Sequence, residues 1–102
     1  MIKVTILYPN SPGAKFDMAY YTSKHMPMVQ RLIPACKGIA AEHGLGGGAP
    51  GSAPTYIAIG HLLFDTVEAF QSGFAPHAEQ ILGDIPNYTN LQPTLQISQI
   101  TL

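Results

Sequence analysis

Residues 55–64, Thr-Tyr-Ile-Ala-Ile-Gly-His-Leu-Leu-Phe, are apolar on both sides of an alternating pattern. Ile57, Ile59, His61 and Leu63 point one way, and Tyr56, Ala58, Gly60, Leu62 and Phe64 point the other. A strand greasy on both faces has to be covered on both faces. That requirement limits the fold more than any other feature of the chain: helices can cover one side of a small sheet, and something else must cover the second.

The remaining pattern supplies the helices and the other strands. Ile2, Val4, Ile6 and Tyr8 alternate with Lys3, Thr5 and Leu7, and the Pro-Asn-Ser-Pro-Gly run at 9–13 stops that first strand. A helix is expected from Asp17, which can cap the free N–H groups of the first turn, with Phe16 as an apolar staple before it. Pro27 either kinks this helix or opens a new one in its first turn. A second, weaker strand is expected over 37–45, then a glycine-rich connector over 44–54. The three glycines at 46–48 lack the Lys-Ser/Thr ending of a phosphate loop and no helix follows, so a plain connector is the better reading. After the third strand, Asp65 and Glu68 resemble a capping box for a helix carrying Val67, Phe70, Phe74, Ala78, Ile81 and Leu82, broken near Ala75-Pro76 and ended by Gly83. A turn-rich stretch around Pro86-Asn87-Tyr88-Thr89 leads to a last strand over 93–102.

The order β-α-β-β-α-β predicts an α+β, ferredoxin-like domain spanning 1–102, with a four-stranded antiparallel sheet and two helices on one face. The uncovered face then calls for a partner, most simply a second copy, giving a dimeric α+β barrel. Composition agrees: charged residues are only 11% and hydrophobic residues 46%, where about 25% charged is usual.

The charge count also removes function classes. Five Lys and Arg against six Asp and Glu leave a formal net charge of −1, and no basic cluster exists to neutralise phosphates, so no nucleic-acid partner is expected. No apolar run approaches the roughly 20 residues that span a bilayer. With no leader-like start and one cysteine, Cys36, a cytoplasmic protein without a disulfide is expected, and Cys36 reads as packed rather than nucleophilic.

The chemistry-bearing segment is 16–27. Asp17, Tyr21 and His25 recur every four residues and share a helical face. An imidazole one turn from a phenol is an acid–base pair suited to neutral pH; the competing reading is a core-edge pair satisfied by backbone groups. His25, His43, His61 and His77 are scattered, with no His-x-His or Cys–His pair, so no metal is expected. No haem or other cofactor is expected either.

Four motifs together carry a family resemblance: Phe16-Asp17-x-x-Tyr20-Tyr21-x-x-x-His25-x-Pro27, the Gly46–Pro50–Gly51 loop, Ile59-Gly60-His61-Leu62-x-Phe64, and Pro86-Asn87-Tyr88-Thr89 with Gln92-Pro93. On these the chain resembles the EthD family, named for its place beside an ethyl tert-butyl ether degradation system, within the dimeric α+β barrel superfamily. The resemblance implies a homodimer and a small-molecule pocket between sheet and helices, and an association with an ether-cleaving oxygenase system. In that frame His25 and Tyr21 are the candidate catalytic residues. His61, Tyr88 and Ile59 are candidate substrate contacts, His61 facing either the pocket or the barrel interior, and Tyr88 closing one end. Two functions follow. One is a cofactor-independent proton-transfer enzyme of isomerase, dehydratase or lyase type acting on a hydrophobic metabolite. The other is a non-catalytic small-molecule-binding or accessory protein supporting the oxygenase. Fold alone does not choose between them.

Overall fold

The computed structural model describes all of residues 1–102. Strand β1 (Ile2–Pro9) is central. It pairs antiparallel with β3 (Tyr56–Phe64) on one side and β4 (Thr94–Gln99) on the other, and β2 (Gly38–His43) pairs antiparallel with β3, giving the order β2-β3-β1-β4. The expected ferredoxin-like sheet is therefore present. Val4 sits opposite Leu62 and Ile97, and Ile6 opposite Gly60 and Leu95. This register places Ile2, Val4, Ile6 and Tyr8 on the same face as Ala58, Gly60, Leu62 and Phe64. That face carries the core: Val4, Ala58 and Phe64 are fully enclosed. The helices pack here, as period-two side-chain direction requires.

The first helical run comprises α1 (Met18–Tyr20), a π turn (Tyr21–His25) and α2 (Met26–Leu32) without a break. Asp17 is its cap, its Oδ1 accepting the Tyr20 N–H at 3.0 Å, and the Phe16 ring packs 5.0 Å from Tyr21 as the staple. Pro27 falls in the first turn of α2. The missing proline N–H lies where the hydrogen-bond ladder changes: the Met26 N–H reaches back five residues to the Tyr21 carbonyl. The π turn thus absorbs the proline.

The second run comprises α3 (Val67–Phe74), a 3₁₀ turn over Ala75–His77 at the expected proline break, and α4 (Ala78–Gly83), ending at the expected glycine. Its cap is one residue later than expected. Thr66 rather than Asp65 is the cap: it is in the extended conformation, and its Oγ1 accepts the Ala69 N–H at 3.0 Å. Both side chains are cap formers, and only the backbone geometry separates them. Asp65 instead lies 3.8 Å from Lys37 Nζ in an exposed ion pair.

The connector 44–55 is irregular, with Gly51 at φ +78° closing a turn. Cys36 is buried, its thiol 3.3 Å from the Gly38 carbonyl, as packing predicts. No helix is long and apolar enough to cross a membrane. The second sheet face is open. It carries Leu7, Ile57, Ile59 and Leu63, all half-buried, together with His61 and Glu42.

Candidate functional site

The helix face of the sheet holds a closely packed aromatic group. Tyr8 comes from β1, Phe16 and Tyr20 from the start of the first helical run, Tyr21 and His25 from the π turn, and Tyr88 from the segment before β4. The Tyr21 and His25 rings stack 5.6 Å apart at 14°, and Tyr88 lies 4.7 Å from the His25 ring. Backbone contacts hold Tyr88 in place. The Asp17 N–H donates to the Tyr88 carbonyl at 2.8 Å, Phe16 bridges to Thr89, and the Thr89 hydroxyl donates to the Lys15 carbonyl at 2.6 Å. The turn motif at 86–89 is therefore a clamp that seats Tyr88 against the helix carrying His25.

His25 is buried, and its Nδ1 lies 2.8 Å from Asp84 Oδ2. Asp84 is a hub. Its Oδ1 also accepts the Tyr20 hydroxyl at 2.7 Å and the Asn87 side-chain amide at 2.9 Å. Burial acts to raise its pKa, but the hydrogen bonds from Tyr20, Asn87 and His25 more than offset this, so the carboxyl is held below its ordinary value. An ionised Asp84 can only accept, so His25 Nδ1 carries a proton and Nε2 bears the lone pair. Burial lowers the His25 pKa, and the Asp84 carboxylate only partly offsets this. The imidazole is therefore neutral at neutral pH, with Nε2 available as a base.

Tyr21 differs from its neighbours. The Tyr8 and Tyr88 hydroxyls bond to each other at 2.7 Å. The Tyr21 hydroxyl is completely buried beside the Tyr8 hydroxyl, yet makes no hydrogen bond of good geometry. It rests against the sheet at Gly60, where a Cβ would overlap it; only glycine leaves room there. Burial pushes the pKa values of both Tyr21 and Tyr88 up, so both phenols stay protonated. A buried donor without a good hydrogen bond is rare and costly.

Beside these groups lies a cavity of about 50 Å³ between sheet and helices. His25 and Tyr21 line it, and thirteen of its fifteen lining residues are hydrophobic, among them Ile6, Leu62, Phe70 and Ile81. No Lys, Arg, Asp or Glu reaches it.

The sequence-derived residues thus divide. His25, Tyr21 and Tyr88 come together. His61 and Ile59 do not join them: both lie on the open sheet face, because β3 alternates and Gly60 and Leu62 take the helix side. There His61 Nε2 meets Glu42 Oε1 at 2.7 Å, and its Nδ1 is 3.4 Å from Thr5 Oγ1. Of the two placements open to His61, the structure shows the one facing away from His25. Sequence reasoning missed Asp84 and gave Tyr20 no part in the site. One signal was available for Asp84: an acid at a helix C-terminus opposes the helix dipole and needs another reason to be there. No three His, Cys, Asp or Glu side chains converge as metal ligands.

The comparisons with known proteins agree with this architecture. The EthD domain family matches residues 14–92, a span holding Asp84 and every member of the aromatic group except Tyr8. The crystal structure of an EthD-like protein from Ralstonia eutropha is 45% identical, covers 99% of this chain and 92% of its own, and superposes with a TM-score of 0.94. An uncharacterized 11.0 kDa protein of the thcB–thcC intergenic region of Rhodococcus erythropolis is 37% identical over 93 residues, 88% of this chain and 85% of that protein. A dimeric ferredoxin-like protein of unknown function from Thermobifida fusca shares the fold at 16% identity, with a TM-score of 0.63 over 97% of this chain and 90% of that one. The chain belongs to the EthD family.

Proposed function

We propose that this EthD-family protein is a cofactor-independent proton-transfer enzyme acting on a small, uncharged hydrophobic metabolite. The observation that carries this reading is the His25–Asp84 pair at 2.8 Å beside an apolar cavity. His25 Nε2 removes a proton from a carbon next to a carbonyl. The electron pair moves onto the carbonyl oxygen, and the Tyr21 hydroxyl, without a hydrogen bond of good geometry in the free protein, hydrogen-bonds that oxygen as charge develops. Asp84 fixes the tautomer and stabilises the imidazolium that forms. With a β,γ-unsaturated substrate, return of the proton from the imidazolium to the γ carbon completes an isomerisation; with a β-hydroxyl, the imidazolium gives the proton to the departing oxygen, which leaves as water and completes a dehydration.

A second copy of the chain covers the open sheet face in this reading. Leu7, Ile57, Ile59 and Leu63 on that face support it, and the pairing encloses His61 and Glu42 in the interior of the barrel.

The test is deuterium wash-in. The protein is incubated in deuterium oxide with small branched aldehydes and ketones, and exchange next to the carbonyl is followed by NMR. The reading expects exchange above the buffer rate in the wild type and loss of at least about 100-fold of it in His25→Gln. Binding without exchange, unaltered in His25→Gln, would instead mark a small-molecule-binding protein accessory to an oxygenase.

A further inference from the structure

The cavity beside His25 is too small for a whole metabolite. At about 50 Å³ it admits a group of about two or three heavy atoms, whereas ligand pockets usually measure about 300 Å³ or more. Four residues on one side of it, Leu82, Ile85, Pro93 and Leu95, also line a second, wider groove of about 390 Å³ that opens to the surface. The cavity and the groove share this wall. Outside it, Leu82 and Leu95 remain 50% and 49% exposed. Leu95 and Ile97 extend the same strip along β4, which the helices do not cover.

The polar groups are as informative as the apolar ones. The inner cavity has no charged side chain, and the groove adds only Gln92 to its apolar lining. A carboxylate or phosphate would enter with no cation to meet it, at a prohibitive desolvation cost. The buried Tyr21 hydroxyl, beside Tyr8, makes no hydrogen bond of good geometry, and His25 Nε2 meets no protein donor. The inner cavity therefore asks for one small neutral group bearing an oxygen acceptor, and the groove asks for hydrocarbon.

We infer that the ligand is a neutral molecule with one terminal oxygen function and an alkyl tail, its head at Tyr21 and His25 and its tail leaving between Leu82 and Leu95 along the groove toward β4. This rests on the proton-transfer site proposed above and adds the shape and polarity of what enters it.

A homologous series of methyl ketones from butanone to decanone, titrated by calorimetry, tests the inference. Affinity should rise about twofold to fourfold per methylene while the tail lies in the groove. The Leu82→Gln/Leu95→Gln variant should lower that increment to below about 1.5-fold; both sites are half-exposed, and a second variant, Leu95→Ser alone, should lower it in part. Octanoate at neutral pH should bind at least about tenfold more weakly than octanone. An affinity independent of tail length, an increment unaltered by the variants, or octanoate binding as tightly as octanone would each overturn the inference. Deuterium exchange of butanone by wild type and His25→Gln, run alongside, reads the proton-transfer reading separately: a flat chain-length series with His25-dependent exchange refutes the tail and leaves the chemistry standing.

Discussion

Asp84 Oδ2 lies 2.8 Å from His25 Nδ1 across 59 residues of sequence, and the same carboxylate holds Tyr20 and Asn87. One acid thus ties the end of the second helical run to the π turn of the first. Its replacement should separate orientation from folding. Asp84→Asn keeps the shape but can present an N–H to His25, favouring the wrong tautomer. The expected outcome is loss of deuterium exchange by about 100-fold or more, with a stability loss of about 1–3 kcal/mol from the weakened hydrogen bonds. Urea denaturation of the same preparation reads the second quantity. Full exchange activity in Asp84→Asn would remove the carboxylate from the account.

Tyr21 should show the reverse pattern. Its hydroxyl is buried beside Tyr8 without a hydrogen bond of good geometry, so Tyr21→Phe removes a poorly satisfied group. Stability should hold or rise by up to about 1 kcal/mol, while ketone affinity and exchange both fall by about tenfold. Gly60→Ala probes the same contact from the sheet. An added Cβ overlaps the Tyr21 hydroxyl and would stand 3.2 Å from its ring carbon Cζ, so the variant should lose about 1–3 kcal/mol. The loss should shrink when Gly60→Ala is combined with Tyr21→Phe. An additive double variant would contradict this geometry.

The sign of the pH dependence follows from His25 and Asp84. The folded pKa of His25 lies below its ordinary value of 6.5, chiefly through burial. Between the folded value and 6.5 the unfolded chain binds the proton and the folded chain does not, so stability rises with pH there and falls as pH drops below about 6.5. Asp84, also lowered, adds a second loss of the same sign below its ordinary value of 3.8. Thermal melts between neutrality and pH 4 should therefore show a progressive fall in Tm, with the first part absent in His25→Gln. Exchange activity should fall on the acid side with an apparent pKa below 6.5. A Tm that climbs on mild acidification would contradict a buried neutral imidazole.

Much of this was legible in the sequence, and the reasons are local. Alternation identifies β1 and β3, Asp17 and Phe16 mark the start of the first helical run, and Pro76 and Gly83 mark the break and end of the second. Those signals act within one turn or one strand, so the chain states them directly. The face of His61 was not fixed in this way. Alternation groups it with Ile57, Ile59 and Leu63, but both sides of β3 are apolar, and only pairing with β1 decides which side meets the helices. The cap at Thr66 rather than Asp65 depends on one residue of backbone geometry. Asp84 was hidden because its meaning is tertiary: in a turn-rich stretch an acid reads as solvent-exposed, and only the packing of two distant helical runs brings it to His25.

The open sheet face gives a prediction independent of the chemistry. If a second copy covers Ile57, Ile59 and Leu63, Ile59→Glu should place a carboxylate beside Glu42, its register partner, and shift the protein to monomer in light scattering at micromolar concentration. A wild type already monomeric under those conditions would contradict the pairing.

The most direct test of the central claim is the protonation of the His25 ring, read by nitrogen NMR on ¹⁵N-histidine-labelled protein above pH 7. A neutral ring protonated at Nδ1 is expected, with Nε2 resonating as the unprotonated nitrogen and this preference lost in Asp84→Asn. A ring protonated at Nε2, or an imidazolium persisting above pH 7, would contradict it, because in either case Nε2 has no lone pair with which to take a proton.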